Sequence, residues 1–348
     1  MTSPVPVYHL ALRETHAAAG ATFGQHLGWW LPEHYGDVTR EYQALRSGAA
    51  VLDRSFRSRF MVTGTDAQVV LDEAFEGHVH ELEEGRAVRT VALDGAGHIR
   101  DLVLIARTGG IAYVVSGEPA QRAETRARLE AAVGPDFDVR IDDRTETTCL
   151  LAVAGPAAAE AVERYLSEGL PPRVQHLQAV TFEFHGFRTL AMRTRDVGED
   201  GFEFMVAPAV AQHLMQTLGE VGVPLAGFAA QETARIESCI PAFVPDLEPG
   251  LSPAEADLDV LLGVPGGAEG RILSAVLVDG DSVPATGTRV SIGGEPCGEV
   301  RSSAFGIGVG SPVALALVES RRGMPGTALD LDGIPGTIVA KPFYRRRS

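Results

Sequence analysis

Residues 198–219 read Gly198-Glu199-Asp200-Gly201-Phe202-Glu203-Phe204-Met205-Val206-Ala207-Pro208-Ala209-Val210-Ala211-Gln212-His213-Leu214-Met215-Gln216-Thr217-Leu218-Gly219. Two glycines bracket a pair of acids, and residues 201–206 then alternate as a strand does, with Phe202 and Phe204 on one face and Glu203 on the other. Pro208 stands where a helix begins, and the apolar residues after it recur at helical spacing, so residues 208–219 are expected to be helical. A strand is also expected before them, over residues 182–192. The local order is strand, strand, helix.

The same grammar runs through the first half of the chain. Helices are expected over residues 37–47, where Val38, Tyr42 and Leu45 share a face, and over 66–75, after a strand at 60–64. Strands at 88–93 and 101–106 flank the turn Gly95-Ala96-Gly97, a third strand covers 111–116, and a helix covers 119–133. A strand at 147–154 then meets Gly155-Pro156, which opens another helix. Such recurrence predicts two related α+β halves. From Ile272 onward no helical period appears. Short β-rich runs at 272–278, 288–292, 298–303, 313–318, 328–331 and 337–344 predict a small antiparallel barrel or sandwich. The boundary is expected near Val264-Pro265-Gly266-Gly267, dividing the chain into 1–264 and 265–348. Residues 241–257, rich in Pro and acid, form the longest irregular stretch within the body.

With 348 residues, 45% of them hydrophobic and 22% charged, the chain can bury a sizeable interior. Its formal net charge of -16 repels a phosphate backbone and anionic lipid, so neither nucleic acid nor a membrane is an expected partner. Residues 1–30 do not have the pattern of a signal peptide, and no stretch approaches the ~20 apolar residues of a membrane helix. Cys149, Cys239 and Cys297 lie far apart without a CxxC pair, which argues against a disulfide framework or a cysteine zinc site and for the cytoplasm. His78-Val79-His80 reads as a surface pair, with no metal expected there. Gly306-Ile307-Gly308-Val309-Gly310 reads as a turn and Arg345-Arg346-Arg347 as a solvated tail.

Two acidic positions stand out. Asp101 opens a strongly apolar strand; a carboxylate there is partly desolvated, which raises its pKa and suits it to accept a proton. It also reads as a plain strand-opening Asp. Glu203, between two Phe, needs a donor partner. The amidine-like edge of a pterin, whose N3–H and 2-amino groups match a carboxylate bidentately, is one such partner.

The order of these pieces resembles the glycine cleavage T-protein (aminomethyltransferase) family, which includes folate-dependent demethylases. Gly28-Trp29-Trp30-Leu31-Pro32 is similar to the family's GW-x-x-P segment, residues 49–55 to G-x-x-D-x-S, and residues 97–105 to GGIxDDLIV. Gly198-Glu199-Asp200-Gly201-Phe202-Glu203 reproduces GEDGFE, and Ala234-Arg235-Ile236-Glu237 with Asp246-Leu247 and Ser252-Pro253 resembles LRLEA…D…TP. Residues 298–303 and 313–318, followed by Lys341-Pro342-Phe343-Tyr344, resemble GEVTSG…IALAYV…PFY.

The resemblance implies an α+β fold of three subdomains in a cloverleaf around a central folate channel, ending in a small antiparallel β-barrel. It implies tetrahydrofolate as cofactor and one-carbon transfer from a methyl or aminomethyl donor. Asp101 would be catalytic by proximity and general base assistance. Glu203 would hold the pterin, with Phe202, Gln231, Asp196 and Tyr344 at the cofactor. Departures from the family pattern change the charge near the reactive edge: Arg100 stands for one acid of a pair, Asp196 for a Tyr and Gln231 for an Arg. The family's FxGKxAL segment is replaced by Gly-rich residues 263–270, and KGCYxGQ is missing. The donor, a small molecule or a carrier protein, therefore stays open. So do two other readings, a non-catalytic folate-binding or regulatory module and a family-fold enzyme doing different chemistry without folate.

Overall fold

The computed structural model describes residues 7–77, 79–166, 170, 171, 173–184, 186–247, 250–263 and 270–345. The chain forms two compact units. The first comprises Met1–Leu93, Arg100–Arg195 and Glu199–Ala230, and the second Asp94–Ile99, Asp196–Gly198 and Gln231–Ser348. The boundary expected near Val264-Pro265-Gly266-Gly267 lies outside the described residues. So do His78 of the histidine pair and Arg346 and Arg347 of the tail.

Two five-stranded sheets dominate the first unit. One has the order Ala179–Phe184, Phe187–Thr194, Gly201–Val206, Cys149–Ala154, Ala50–Asp53. The other has the order Ala87–Leu93, Ile99–Gly109, Ala112–Gly117, Ser58–Thr63, Arg140–Asp143. Each sheet is assembled by the same sequence of events: a strand, a helix, a hairpin, a further strand and a second helix. The expected duplication is therefore visible in the strand order itself.

Alternation along the strands sends their two sets of side chains to different layers. On one face Phe202, Phe204, Leu151 and Val153 pack under the helices Ala158–Tyr165 and Pro208–Glu220. In the other half Phe60, Val62, Val103 and Ile105 pack under Ala67–Ala74 and Arg122–Ala131. The remaining faces meet, Leu104, Ala106 and Val114 against Leu150, Leu190, Met192 and Met205. The result is helix, sheet, sheet, helix. Helix starts follow local chemistry: the Asp37 side chain accepts from the backbone N–H groups of Thr39 and Arg40, capping Val38–Ser47.

One expected strand is really two. The run over residues 182–192 belongs to a hairpin in which Phe184 pairs with Phe187. Gly186, at φ +79, takes the left-handed conformation that a two-residue hairpin loop demands. Gly186 marks this turn in the sequence, but reading residues 182–192 as one strand passed over it. A three-stranded sheet of Tyr8–His9, Trp29–His34 and Thr22–His26 was also not foreseen.

In the second unit six strands close a barrel in the order Arg271–Val278, Ser311–Glu319, Glu295–Gly306, Arg289–Ile292, Ala328–Leu331, Ile334–Val339. Its interior is filled by Val276, Val278, Val290, Val300, Ala314, Ala316, Val318, Leu331 and Ile338. The last strand ends at Val339, short of the expected residue 344, just ahead of Pro342. The stretch expected to be irregular, residues 241–257, includes Phe243–Leu247, where Val244 has an extended backbone that breaks any regular helix. No helix among the described residues is long and apolar enough to cross a membrane.

The barrel depends on one close approach. A Cβ on Gly298 would lie 2.1 Å from the Leu317 carbonyl oxygen on the adjacent strand. Gly298→Ala is expected to destabilise the protein by about 2–3 kcal/mol in urea unfolding. Gly95→Ala, which meets nothing within 4 Å, should be nearly neutral.

Candidate functional site

Asp101 has the same phase along Ile99–Gly109 as Val103 and Ile105, so its carboxyl turns to the helix-covered side of the sheet, where it is 1% exposed. The Thr125 hydroxyl, from the helix Arg122–Ala131, donates to Oδ2 at 2.5 Å. The backbone N–H groups of Leu102 and Glu118 donate to Oδ1 at 2.8 and 3.0 Å. Space for the carboxyl exists because residue 117 is glycine: a Cβ there would stand 2.5 Å from Oδ2. Burial pushes the Asp101 carboxyl up to about 7; the Thr125 hydroxyl opposes this, and the Glu118 carboxylate adds to it. A group so balanced can take or release a proton near neutrality.

Glu203 lies on the opposite kind of face, the one that meets the other sheet, and is also 1% exposed. Its Oε1 accepts from Arg54 Nη1 at 2.6 Å. Arg57 Nη1 donates to Glu118 Oε1 at 2.7 Å. Burial works against the Arg57 charge, but Glu118, Glu203 and Asp101 outweigh it and hold the guanidinium above its ordinary range. Arg57 is thus the group that feels both acids. Burial pulls Arg89 down to about 10; Glu203 opposes this, and the Arg57 and Arg54 charges add to it. A locally basic cluster is buried in a protein of net charge -16.

The segment carrying Arg54 and Arg57 is held from both sides. His16 Nε2 lies 2.7 Å from Asp53 Oδ2, and the Tyr35 hydroxyl 2.7 Å from His16 Nδ1. Arg59, 0% exposed, spends its guanidinium on neutral oxygens. It donates to the carbonyls of Ser55, Arg57, Thr145 and Thr148 and to the Thr148 hydroxyl. Burial pulls Arg59 down to about 10.

The other expected site residues divide between the two units. Phe202 faces away from Glu203 into the core beneath the helices. Asp196, Gln231 and Tyr344 belong to the second unit. Gln231 is buried on the helix Phe228–Glu237, Asp196 is half-buried, and the half-buried Tyr344 donates its backbone N–H to the Glu237 carbonyl at 3.0 Å. Arg100 makes a bidentate pair with Glu124, both contacts 2.9 Å. No group of His, Cys, Asp or Glu among the described residues is arranged to hold a metal ion.

Residues 12–264 match the family model described as the GCVT N-terminal domain, and residues 271–345 match the glycine cleavage T-protein C-terminal barrel domain. The chain belongs to the glycine cleavage T-protein family. Among relatives of this T-protein chain, an aminomethyltransferase of Streptomyces avermitilis is 31% identical over 100% of both chains. That of Streptomyces coelicolor is 33% identical over 97% of each. The glycine cleavage system aminomethyltransferase T of Bartonella henselae shares the T-protein fold at a TM-score of 0.88, with 23% identity over 98% of this chain and 99% of that one.

Sequence reasoning passed over Arg54, Arg57, Arg89, Glu118 and Thr125. The only available signal was three arginines at 54, 57 and 59 beside an apolar strand, where solvated side chains are the default.

Because folding raises the Asp101 pKa from 3.8 to about 7, the folded state binds that proton more tightly than the unfolded chain. Stability is therefore expected to fall as pH rises from about 4 to about 7, by an amount on the order of 4 kcal/mol. Denaturant titrations at several pH values should show this slope in the wild type and its loss in Asp101→Asn.

Proposed function

We propose that this chain moves a one-carbon unit, methyl or aminomethyl, between a donor and tetrahydrofolate. Family membership and the aminomethyltransferase relatives support the class of reaction. The observation that carries the reading is the buried Asp101 carboxyl, balanced at about 7. The Glu203–Arg54 pair fits a pterin: the carboxylate suits the N3–H and 2-amino edge, and the guanidinium suits the neighbouring carbonyl. Tetrahydrofolate, when bound, supplies the nitrogen that accepts the one-carbon unit.

What remains for the protein is positioning and proton handling. Ionised Asp101 takes a proton at its carboxyl, and Arg57, paired with Glu118, steadies the charge beside it. Asp196, Gln231 and Tyr344 are assigned to the cofactor's surroundings. Residues 1–264 are assigned as the folate-binding region and 265–348 as the barrel domain. The donor is a small methyl or aminomethyl compound or an aminomethyl group on a carrier protein; net charge of -16 disfavours an acidic carrier. The cytoplasm is the proposed compartment, in keeping with three free thiols.

Calorimetric titration with tetrahydrofolate tests this directly. Micromolar binding is expected in the wild type, weakened at least 30-fold (about 2 kcal/mol) in Glu203→Ala, which leaves Arg54 without its carboxylate. Asp101→Asn should keep binding and lose about 10²- to 10⁴-fold in turnover with methyl or aminomethyl donors. Since the base must be ionised, wild-type kcat/KM should rise with pH through about 7. No binding at millimolar tetrahydrofolate would overturn the proposal.

A further inference from the structure

The Ser58 hydroxyl is buried, in a residue 0% exposed, and meets no hydrogen-bond partner among the described residues. Buried hydroxyls are rarely left so. Ser58 pairs with Gly117 across neighbouring strands. A Cβ on Gly117 would come 2.5 Å from Asp101 Oδ2, 3.0 Å from Ser58 Oγ and 3.2 Å from Val103 Cγ1. The carboxyl and the hydroxyl thus face each other across the bare α-carbon of Gly117, with a valine as the third wall. Serine has a single χ1 torsion, and rotation about it sweeps Oγ over that gap.

We propose that Ser58 is a positioning residue whose hydroxyl follows the proton on Asp101, donating to the carboxylate when Asp101 is ionised and accepting from the acid when it is not. The inference rests on the reading of Asp101 as the proton acceptor. It accounts both for a glycine at 117 and for a serine whose hydroxyl has no other partner. The groups that face Asp101 are few: the Thr125 hydroxyl from the helix, the Leu102 backbone N–H, the Glu118 backbone N–H and carboxylate, and the Arg57 guanidinium. Thr125 and the Leu102 and Glu118 N–H groups already hold the carboxyl, so Ser58 is the adjustable member of the set. A hydrogen bond to a charged oxygen is stronger than one to a neutral acid. Loss of the hydroxyl therefore costs the ionised form more, and the Asp101 pKa should rise.

The test is a carbon-13 NMR titration of the aspartate carboxyls in the full chain, with the Asp101 signal assigned by its loss in Asp101→Asn. Ser58→Ala should raise the Asp101 pKa by about one unit. Ser58→Thr, which keeps the hydroxyl, should return it toward the wild-type value and so separates a lost hydroxyl from disturbed packing. Ser116→Ala is the control: that hydroxyl is also buried without a partner, but Ser116 pairs with Leu104, which faces the other sheet. An Asp101 pKa unmoved in Ser58→Ala, or moved as far by Ser116→Ala, overturns the proposal. The titration needs no folate, so a protein that shows the Ser58 effect yet binds no tetrahydrofolate refutes the proposed function and leaves this inference standing.

Discussion

Both faces of each five-stranded sheet are covered, one by helices and the other by the second sheet, and this double burial governs the rest of the first unit. A residue in the middle of such a sheet, as along the wholly buried strand Gly201–Val206, has no solvent side on which to place a charge. Any ionisable residue there must find its partners inside the protein or shift its protonation. Asp101 and Glu203 meet that constraint in different ways. Glu203 is paired with Arg54. Asp101, which feels the Arg57 charge without an ion pair to it, accepts three hydrogen bonds and keeps a proton to about 7.

Arg59 shows the same constraint from the cationic side. Its guanidinium is directed at carbonyl and hydroxyl oxygens that come from two separate stretches, residues 55–57 and 145–148. It works as a fastener: the fixed fork of donors holds two loops in register while Arg54 and Arg57, on the fastened segment, point to acids. The His16, Tyr35 and Asp53 chain of hydrogen bonds fixes the other end of that segment. Replacing a buried fork like this with a flexible ammonium would not preserve the geometry.

Much of this architecture could be read from residue order. The strand Gly201–Val206 was expected to the residue because its alternation is clean and glycine and proline frame it. The duplication and the barrel followed from recurrence and from the loss of helical period. The reversal between Phe184 and Phe187 was missed because a single Gly186 amid alternating apolar residues was read as part of one long strand. Arg54 could not be matched to Glu203 by pattern, since 149 residues separate them and only the sheet order brings them together. The value of Gly117 was equally hidden: a missing methyl matters only when a carboxyl from another strand occupies its place.

The second unit also includes Asp94–Ile99 and Asp196–Gly198, two short pieces made long before the rest of it. During synthesis Asp94–Ile99 must wait for more than a hundred residues, and Asp196–Gly198 for a few tens, before the rest of the unit leaves the ribosome. The Ile99 backbone N–H bonds to the Leu251 carbonyl at 2.8 Å, and Ile99 starts the strand that carries Asp101. The acid that the first half supplies early is therefore seated at one end by a residue that arrives late. A nascent chain stalled before Leu251 would hold every atom of Asp101 and yet lack the peg that sets where its strand begins.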